Sequence, residues 1–245
     1  MARPSRLSGR PGRPPLQDDE MDRDSFLKNI ATKLGRVPGS PPAARGAVGV
    51  PEFHSARPSP DREGLVEKFC LECAAVAGQV RKVEGLPETH LALKAVLEEW
   101  KVGSLVSWSR QEFEGWELGW LWDRCLAWEP GSSAPEFREA CFNSQAGLTA
   151  ADFGVAESGS LVFTASPGRP RSVSLLPGLH LALLKASQLR MRMGQALERL
   201  MDGPRGTASL VQFVTGPSRT SDIENDLTIG VHGPAAVVVI LRVDS

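Results

Sequence analysis

Apolar and polar positions change period several times along this chain, and the changes mark out its elements. Over residues 22–34, Phe26, Leu27, Ile30 and Leu34 recur at helical spacing, and Gly35 supplies a C-terminal stop. A short amphipathic helix is predicted there. From Asp61 onward helical and strand patterns alternate: helix 61–77, a short strand near 80–83, helix 87–99 and strand 104–108. That rhythm predicts α/β architecture with a parallel sheet. Residues 147–166 read as a strand, a glycine-bearing turn at Glu157-Ser-Gly-Ser160 and the β-prone run Leu161-Val-Phe-Thr164. Residues 172–184 predict two short strands around Pro177-Gly178. A helix is expected over 187–201, with Leu189, Met193, Ala196, Leu197 and Leu200 on one face. The last third predicts strand 209–214, a polar turn entering a short helix at 221–226, and a buried strand 235–243.

Composition separates a leader from a body. Residues 1–60 hold 10 of the 19 prolines and carry 10 Lys+Arg against 6 Asp+Glu, or +4; the remaining residues carry 18 against 23, or −5. A Pro/Gly/Arg segment cannot bury enough apolar surface to offset its ordering entropy. Three regions are therefore expected: 1–20, a tail without pattern or an over-extended start; 21–60, one helix and a Pro-rich linker; and 61–245, the α/β domain. The net charge of −1 supplies no global basic field for nucleic acid or an anionic membrane surface. The apolar run 235–241 falls far short of the roughly 18 residues a membrane span needs. The leader lacks an apolar core of the secretory kind, so a cytoplasmic protein is expected.

Cys70 and Cys73 stand i, i+3 in a helical stretch, where with Phe69 and Ala77 they share an apolar face. Neither a second Cys-x-x-Cys pair nor a cluster-binding run accompanies them, so the expectation is core packing and no metal on this chain. Five tryptophans, Trp108, Trp116, Trp120, Trp122 and Trp128, crowd into twenty-one residues of a chain without tyrosine. Core and contact packing is their expected use, with stacking on a flat ligand as the alternative.

The candidate chemistry lies in short turns. Thr215-Gly-Pro-Ser-Arg-Thr-Ser-Asp-Ile-Glu224 leaves an apolar strand and enters a predicted helix. Gly216 permits close backbone approach, Ser218 and Thr220 offer hydroxyls, and Arg219 can grip a carboxylate or phosphate through two hydrogen bonds, beside Asp222 and Glu224. The competing reading makes Ser221-x-x-Glu224 a capping box and Arg219 a surface cation. His232, in Gly230-Val-His-Gly-Pro234, and Glu157, beside Gly159, are candidate acid, base or nucleophile. His232 also fits a turn histidine bound to backbone, and Glu157 a solvated turn charge. His180, among the apolar residues of 179–184, reads as a buried or edge-strand polar group.

These segments resemble a known family. Thr149-Ala-Ala-Asp-Phe-Gly-Val-Ala-Glu-Ser-Gly-Ser-Leu-Val162, Leu176-Pro-Gly-Leu-His180, the 215–224 segment and the 230–234 segment are similar, in order, to signature segments of the LUD domain, whose members take part in lactate utilization. The resemblance implies an open, mostly parallel sheet with flanking helices, like that of the NagB/RpiA/CoA-transferase-like group. It also implies a part in oxidising L-lactate to pyruvate beside two partner proteins of iron–sulfur type. This chain would then bind no cofactor itself, the clusters residing on the partners, and would offer a cleft for a small carboxylate or phosphate. By the same likeness Glu157, Ser218, Arg219, Thr220, Asp222, Glu224 and His232 would line it. Fold analogy alone suggests the alternative, a free-standing acyl- or phosphoryl-transfer enzyme.

Overall fold

The computed structural model describes residues 22–37, 59–201, 208–221, 227–229 and 233–244. The expected tail 1–20 and most of the linker lie outside them. By its contacts the chain divides into two units, 1–57 and 58–245.

In the first unit, helix α1 (Arg23–Lys33) forms where periodicity predicts it. The Asp22 carboxylate accepts from the amides of Asp24 (2.7 Å) and Ser25 (3.2 Å), satisfying donors that the first turn leaves over. Hydrogen bonds from Ser25 hold the Asp22 pKa below its ordinary value. Phe26, Leu27, Ile30 and Leu34 are exposed.

The second unit is built on a six-stranded sheet, all parallel, in the order β1-β12-β7-β4-β2-β3. Its strands are β1 (Gln79–Glu84), β2 (Leu105–Ser107), β3 (Cys125–Ala127), β4 (Ala146–Ala150), β7 (Leu179–Lys185) and β12 (Ala236–Val243). The central strands β7, β4 and β12 are buried almost throughout, as a parallel sheet covered on both faces requires, and this is why they are mostly apolar. Helices α2 (Arg62–Ala75), α3 (Gly85–Glu99), α4 (Ala134–Asn143) and α5 (Ser172–Leu175) flank it. The expected open α/β sheet is thus the architecture observed.

A second sheet of four strands has the order β8-β5-β6-β9: β5 (Phe153–Val155) and β6 (Ser160–Thr164) pair antiparallel, β9 (Val211–Val214) pairs antiparallel with β6, and β8 (Leu189–Arg190) runs parallel to β5. Helix α6 (Met193–Met201) follows β8. The chain then forms a hairpin of β10 (Arg219–Ser221) and β11 (Leu227–Ile229).

Three local expectations need correction. Residues 172–184 contain one strand, not two, because Ser172–Leu175 is the single helical turn α5. After Pro170 the backbone folds on itself, Val173 N donating to Pro170 O and Ser174 Oγ to Arg171 O, and the apolar/polar alternation of Ser-Val-Ser-Leu serves a turn as well as a strand. The helix expected over 187–201 begins only at Met193. Ahead of it, Gln188 donates to the carbonyls of Ala151 and Asp152 and so holds Leu189–Arg190 extended along β5. The helix expected at 221–226 gives way at its start to β10, whose Ser221 pairs with Leu227; residues 222–226 lie outside the described residues.

Candidate functional site

One group of residues forms where β6 begins and β9 ends. Ser160 Oγ lies 2.7 Å from Thr215 Oγ1 and 2.8 Å from Ser158 Oγ, linking the turn that carries Glu157 to the segment that carries Arg219. Ser218 N donates to Pro234 O at 2.9 Å, which joins that segment to the 230–234 turn. The two glycines here are backbone-packing positions. Gly159 (φ +61°) and Gly216 (φ +73°) occupy the left-handed region, and a Cβ on either would strike the end of α2, meeting Cys73 N at 2.3 Å or Val76 O at 2.2 Å. The close approach anticipated for Gly216 is therefore made to protein backbone.

The candidate residues are distributed unevenly around this junction. Glu157 is exposed, and its Oε1 accepts from Met193 N at 3.2 Å, at the first residue of α6. A carboxylate there answers the positive end of the helix and one of its unpaired amides. Arg219 and Thr220 belong to β10, so the 215–219 segment runs from one strand into another, not into a helix N-terminus. Asp222, Glu224 and His232 lie outside the described residues.

A second group was not anticipated. In the sheet, β2 has β3 on one side and β4 on the other, and the chain leaves β2 toward the edge but leaves β4 toward β7. Open parallel sheets form ligand crevices at the carboxyl ends of strands where direction reverses in this way. Just past those ends, Arg169 donates through Nε to Glu112 Oε2 and through Nη1 to Asp152 Oδ1, each at 2.7 Å. The second oxygen of Asp152 accepts from Thr164 N (2.7 Å) and Thr164 Oγ1 (2.8 Å). The guanidinium also covers the Trp108 ring, 4.9 Å from its centroid. Arg169 is 5% exposed, Asp152 13% and Glu112 18%. Beside this network opens a cleft of about 750 Å³ whose walls include Ser109, Glu112, Trp128, Ser166 and Pro167. Trp128 Nε1 donates to Pro167 O at 2.7 Å and fixes that wall.

The two groups occupy opposite ends of β6. Ser160 and Thr164 are four steps apart along the strand, or about 13 Å at 3.3 Å per residue.

Beneath the cleft, rings pass into the sheet. Trp108 meets Phe163 edge-on at 5.6 Å, and Phe163 lies 5.5 Å from His180. His180 is the buried polar group its sequence context suggests: it is fully enclosed, Nε2 sits 2.8 Å from Thr149 Oγ1, and burial pushes its pKa down to about 4. Trp108 and Trp116 are core residues.

The cysteines follow packing. Cys73 faces the core from α2 while Cys70 is half-buried, and Cys125 and Cys141 are buried on β3 and α4. Burial pushes the Cys73 and Cys125 thiols up to about 11. Among the described residues no three His, Cys, Asp or Glu side chains converge to hold a metal ion, and no helix is long and apolar enough to cross a membrane.

Asp152, Glu112 and Arg169 escaped the sequence reading, and Trp128 entered it only as a member of the tryptophan cluster. The available signal was positional: Asp152 follows directly on an apolar parallel strand, and Arg169 stands between Gly168 and Pro170 in the loop after β6.

A fold of this kind, an open parallel sheet with a small antiparallel sheet beside it, is shared with a crystal structure of a DUF162 family protein from Deinococcus radiodurans: TM-score 0.57, 17% identity, covering 75% of this chain and 99% of that one. The family model of the LUD domain matches residues 78–242, and the chain belongs to the LUD domain family. It is similar to lactate utilization protein C of Shouchella clausii, 32% identical over 225 residues that make up 90% of this chain and 97% of the relative. The protein of that name from Halalkalibacterium halodurans is 31% identical over 91% of this chain and 98% of its own, and that of Bacillus subtilis 29% over 91% and 97%.

Proposed function

We propose that this chain is a non-redox component of an L-lactate-oxidising system, acting beside partner proteins that carry the iron–sulfur clusters. The observation that carries this reading is the similarity, over 90% of this chain and 97% of the relative in one case, to proteins named lactate utilization protein C. The cysteines favour the same division of labour. Cluster ligands are thiolates, whereas two of the four thiols here are buried and pushed up to about 11, and the four are spread over α2, β3 and α4. These residues do not fit a cluster.

Within that system the chain binds a small carboxylate or phosphate at the 215–219 segment. Arg219 supplies the charge, and Ser218 and Thr220, its neighbours in sequence, offer hydroxyls. A guanidinium fork matches a planar carboxylate through two hydrogen bonds, a geometry a lysine does not reproduce. Deleting the gene in its native host and plating on L-lactate as sole carbon source tests the reading: growth is lost and is restored by the intact gene. Affinity purification from the same host recovers two cysteine-rich partners. Undiminished growth on lactate would overturn the proposal.

A further inference from the structure

Trp128 differs from the core tryptophans Trp108 and Trp116. It follows directly on β3 and borders two clefts, the one of about 750 Å³ beside Arg169 and a smaller one of about 260 Å³. Its ring is fixed in place, since Nε1 donates to Pro167 O at 2.7 Å and Phe137 makes an edge contact with centroids 5.0 Å apart. Phe137 lines the smaller cleft and not the larger, so its contact leaves the side of the indole toward the larger cleft uncovered. A braced aromatic face at the carboxyl end of a parallel strand, near the point where chain direction reverses, needs no ordering when a flat ligand arrives.

The polar groups left over around that face are neutral. Arg169 holds Glu112 and Asp152 at 2.7 Å each, so the charged side chains beside the cleft are engaged with one another. Ser109 lines the cleft and is 3% exposed, yet among the described residues its hydroxyl has no hydrogen-bond partner. Burying a hydroxyl in that state carries a desolvation cost that a ligand atom would remove. Gln111 lines the same cleft from an exposed position, and its amide is likewise unpaired among the described residues. The ion pair of Arg110 Nε with Glu129 Oε1, at 3.2 Å, ties the residue before Gln111 to the residue after Trp128, which brings amide and indole to one cleft.

An amide sets a donor beside an acceptor, the pattern that matches the edge of a nucleobase, and every base also has a flat face for an aromatic ring. A purine covers more of an indole than a pyrimidine does. The cleft, at about 750 Å³, lies inside the range of small-molecule sites. We infer that it binds a purine base, stacked on Trp128, with the Gln111 amide paired to the edge of the ring and the Ser109 hydroxyl completing its hydrogen bonds. This base site and the Arg219 segment belong to opposite ends of β6.

Saturation-transfer NMR and titration calorimetry on the full chain test this, with adenosine, AMP, uridine and D-ribose as probes. Adenosine is expected to bind, its purine protons receiving more saturation than its ribose protons, with uridine weaker and D-ribose silent. The affinity for adenosine should fall about five-fold or more in Gln111→Ala and in Trp128→Leu, and less in Trp128→Phe, which keeps an aromatic face. Gln111 is exposed, so its variant reads the cleft even if a Trp128 variant disturbs the fold; circular dichroism checks all of them. AMP distinguishes a free nucleoside from a phosphorylated source of the same base, and whichever binds more tightly, that binding must fall in Gln111→Ala. The inference is overturned if neither adenosine nor AMP binds, if uridine or D-ribose binds as tightly as adenosine, or if Gln111→Ala or a folded Trp128→Leu leaves the affinity unchanged. AMP binding that is lost in Arg219→Ala and kept in Gln111→Ala overturns it equally, because the phosphate and not the base would then be recognised.

Discussion

His180 Nε2 lies 2.8 Å from Thr149 Oγ1 in the middle of the parallel sheet, and His180 Nδ1 has no hydrogen-bond partner among the described residues. The imidazole is thereby kept neutral, its pKa pushed down to about 4 by burial. The unfolded chain binds a proton near the ordinary histidine value, about 6.5, and the folded chain does not until about pH 4. Stability is therefore full above about pH 6.5 and is lost as pH falls through that window, by about 3 kcal/mol at its lower end. In the double variant Thr149→Val, His180→Leu, urea midpoints measured from pH 7 to pH 4 should show this part of the slope gone.

Replacing Arg169 by Met should destabilise the fold by about 3–5 kcal/mol, because it removes the guanidinium that two largely buried carboxylates hold at 2.7 Å. Arg169→Lys should recover only part of the loss, since one ammonium cannot reproduce the two-armed geometry. Denaturant titration of the three proteins side by side reads both numbers.

Gly216→Ala and Gly159→Ala should each lower stability by more than about 2 kcal/mol. The added methyl collides with α2 backbone at 2.2 and 2.3 Å, and the left-handed conformation penalises any side chain. Gly131→Ala, where φ is +91° and nothing lies within 4 Å, carries the conformational penalty without the collision. The difference in melting temperature between Gly131→Ala and the other two isolates the cost of the clash.

Arg219→Ala should weaken binding of L-lactate or inorganic phosphate by about 1.5–3 kcal/mol, the usual worth of a charge-assisted hydrogen bond, while leaving the melting temperature in place. Titration calorimetry with each ligand measures it. Unfolding of the variant with unchanged affinity would make Arg219 structural.

The central sheet was legible because its strands are buried on both faces, so that residues 181–184 and 236–241 stand out as apolar runs. Apolar spacing, with the Gly35 stop for α1, placed α1 and α2 to within about two residues. What failed was local and short. The α5 turn, strand β8 and the start of β10 are each a few residues long; α5 closes on the nearby Pro170 and Arg171 carbonyls, a bond pattern that alternation does not reveal, and β8 is held by Gln188 to Ala151 O, 37 residues away in sequence. The Arg169 network was illegible for the same reason. Its members lie 17 and 57 residues apart, and only the meeting of the β2, β4 and β6 ends makes them neighbours.

The strand order also sets when this protein can take shape. Gln79 on β1 pairs with Val238 on β12, and β12 fills the gap between β1 and β7. As the chain leaves the ribosome, β1 therefore has helices to pack on but no strand partner until β12 has been made. An unpaired strand offers its backbone donors and acceptors to other chains, so synthesis is a stage at which this protein is open to aggregation.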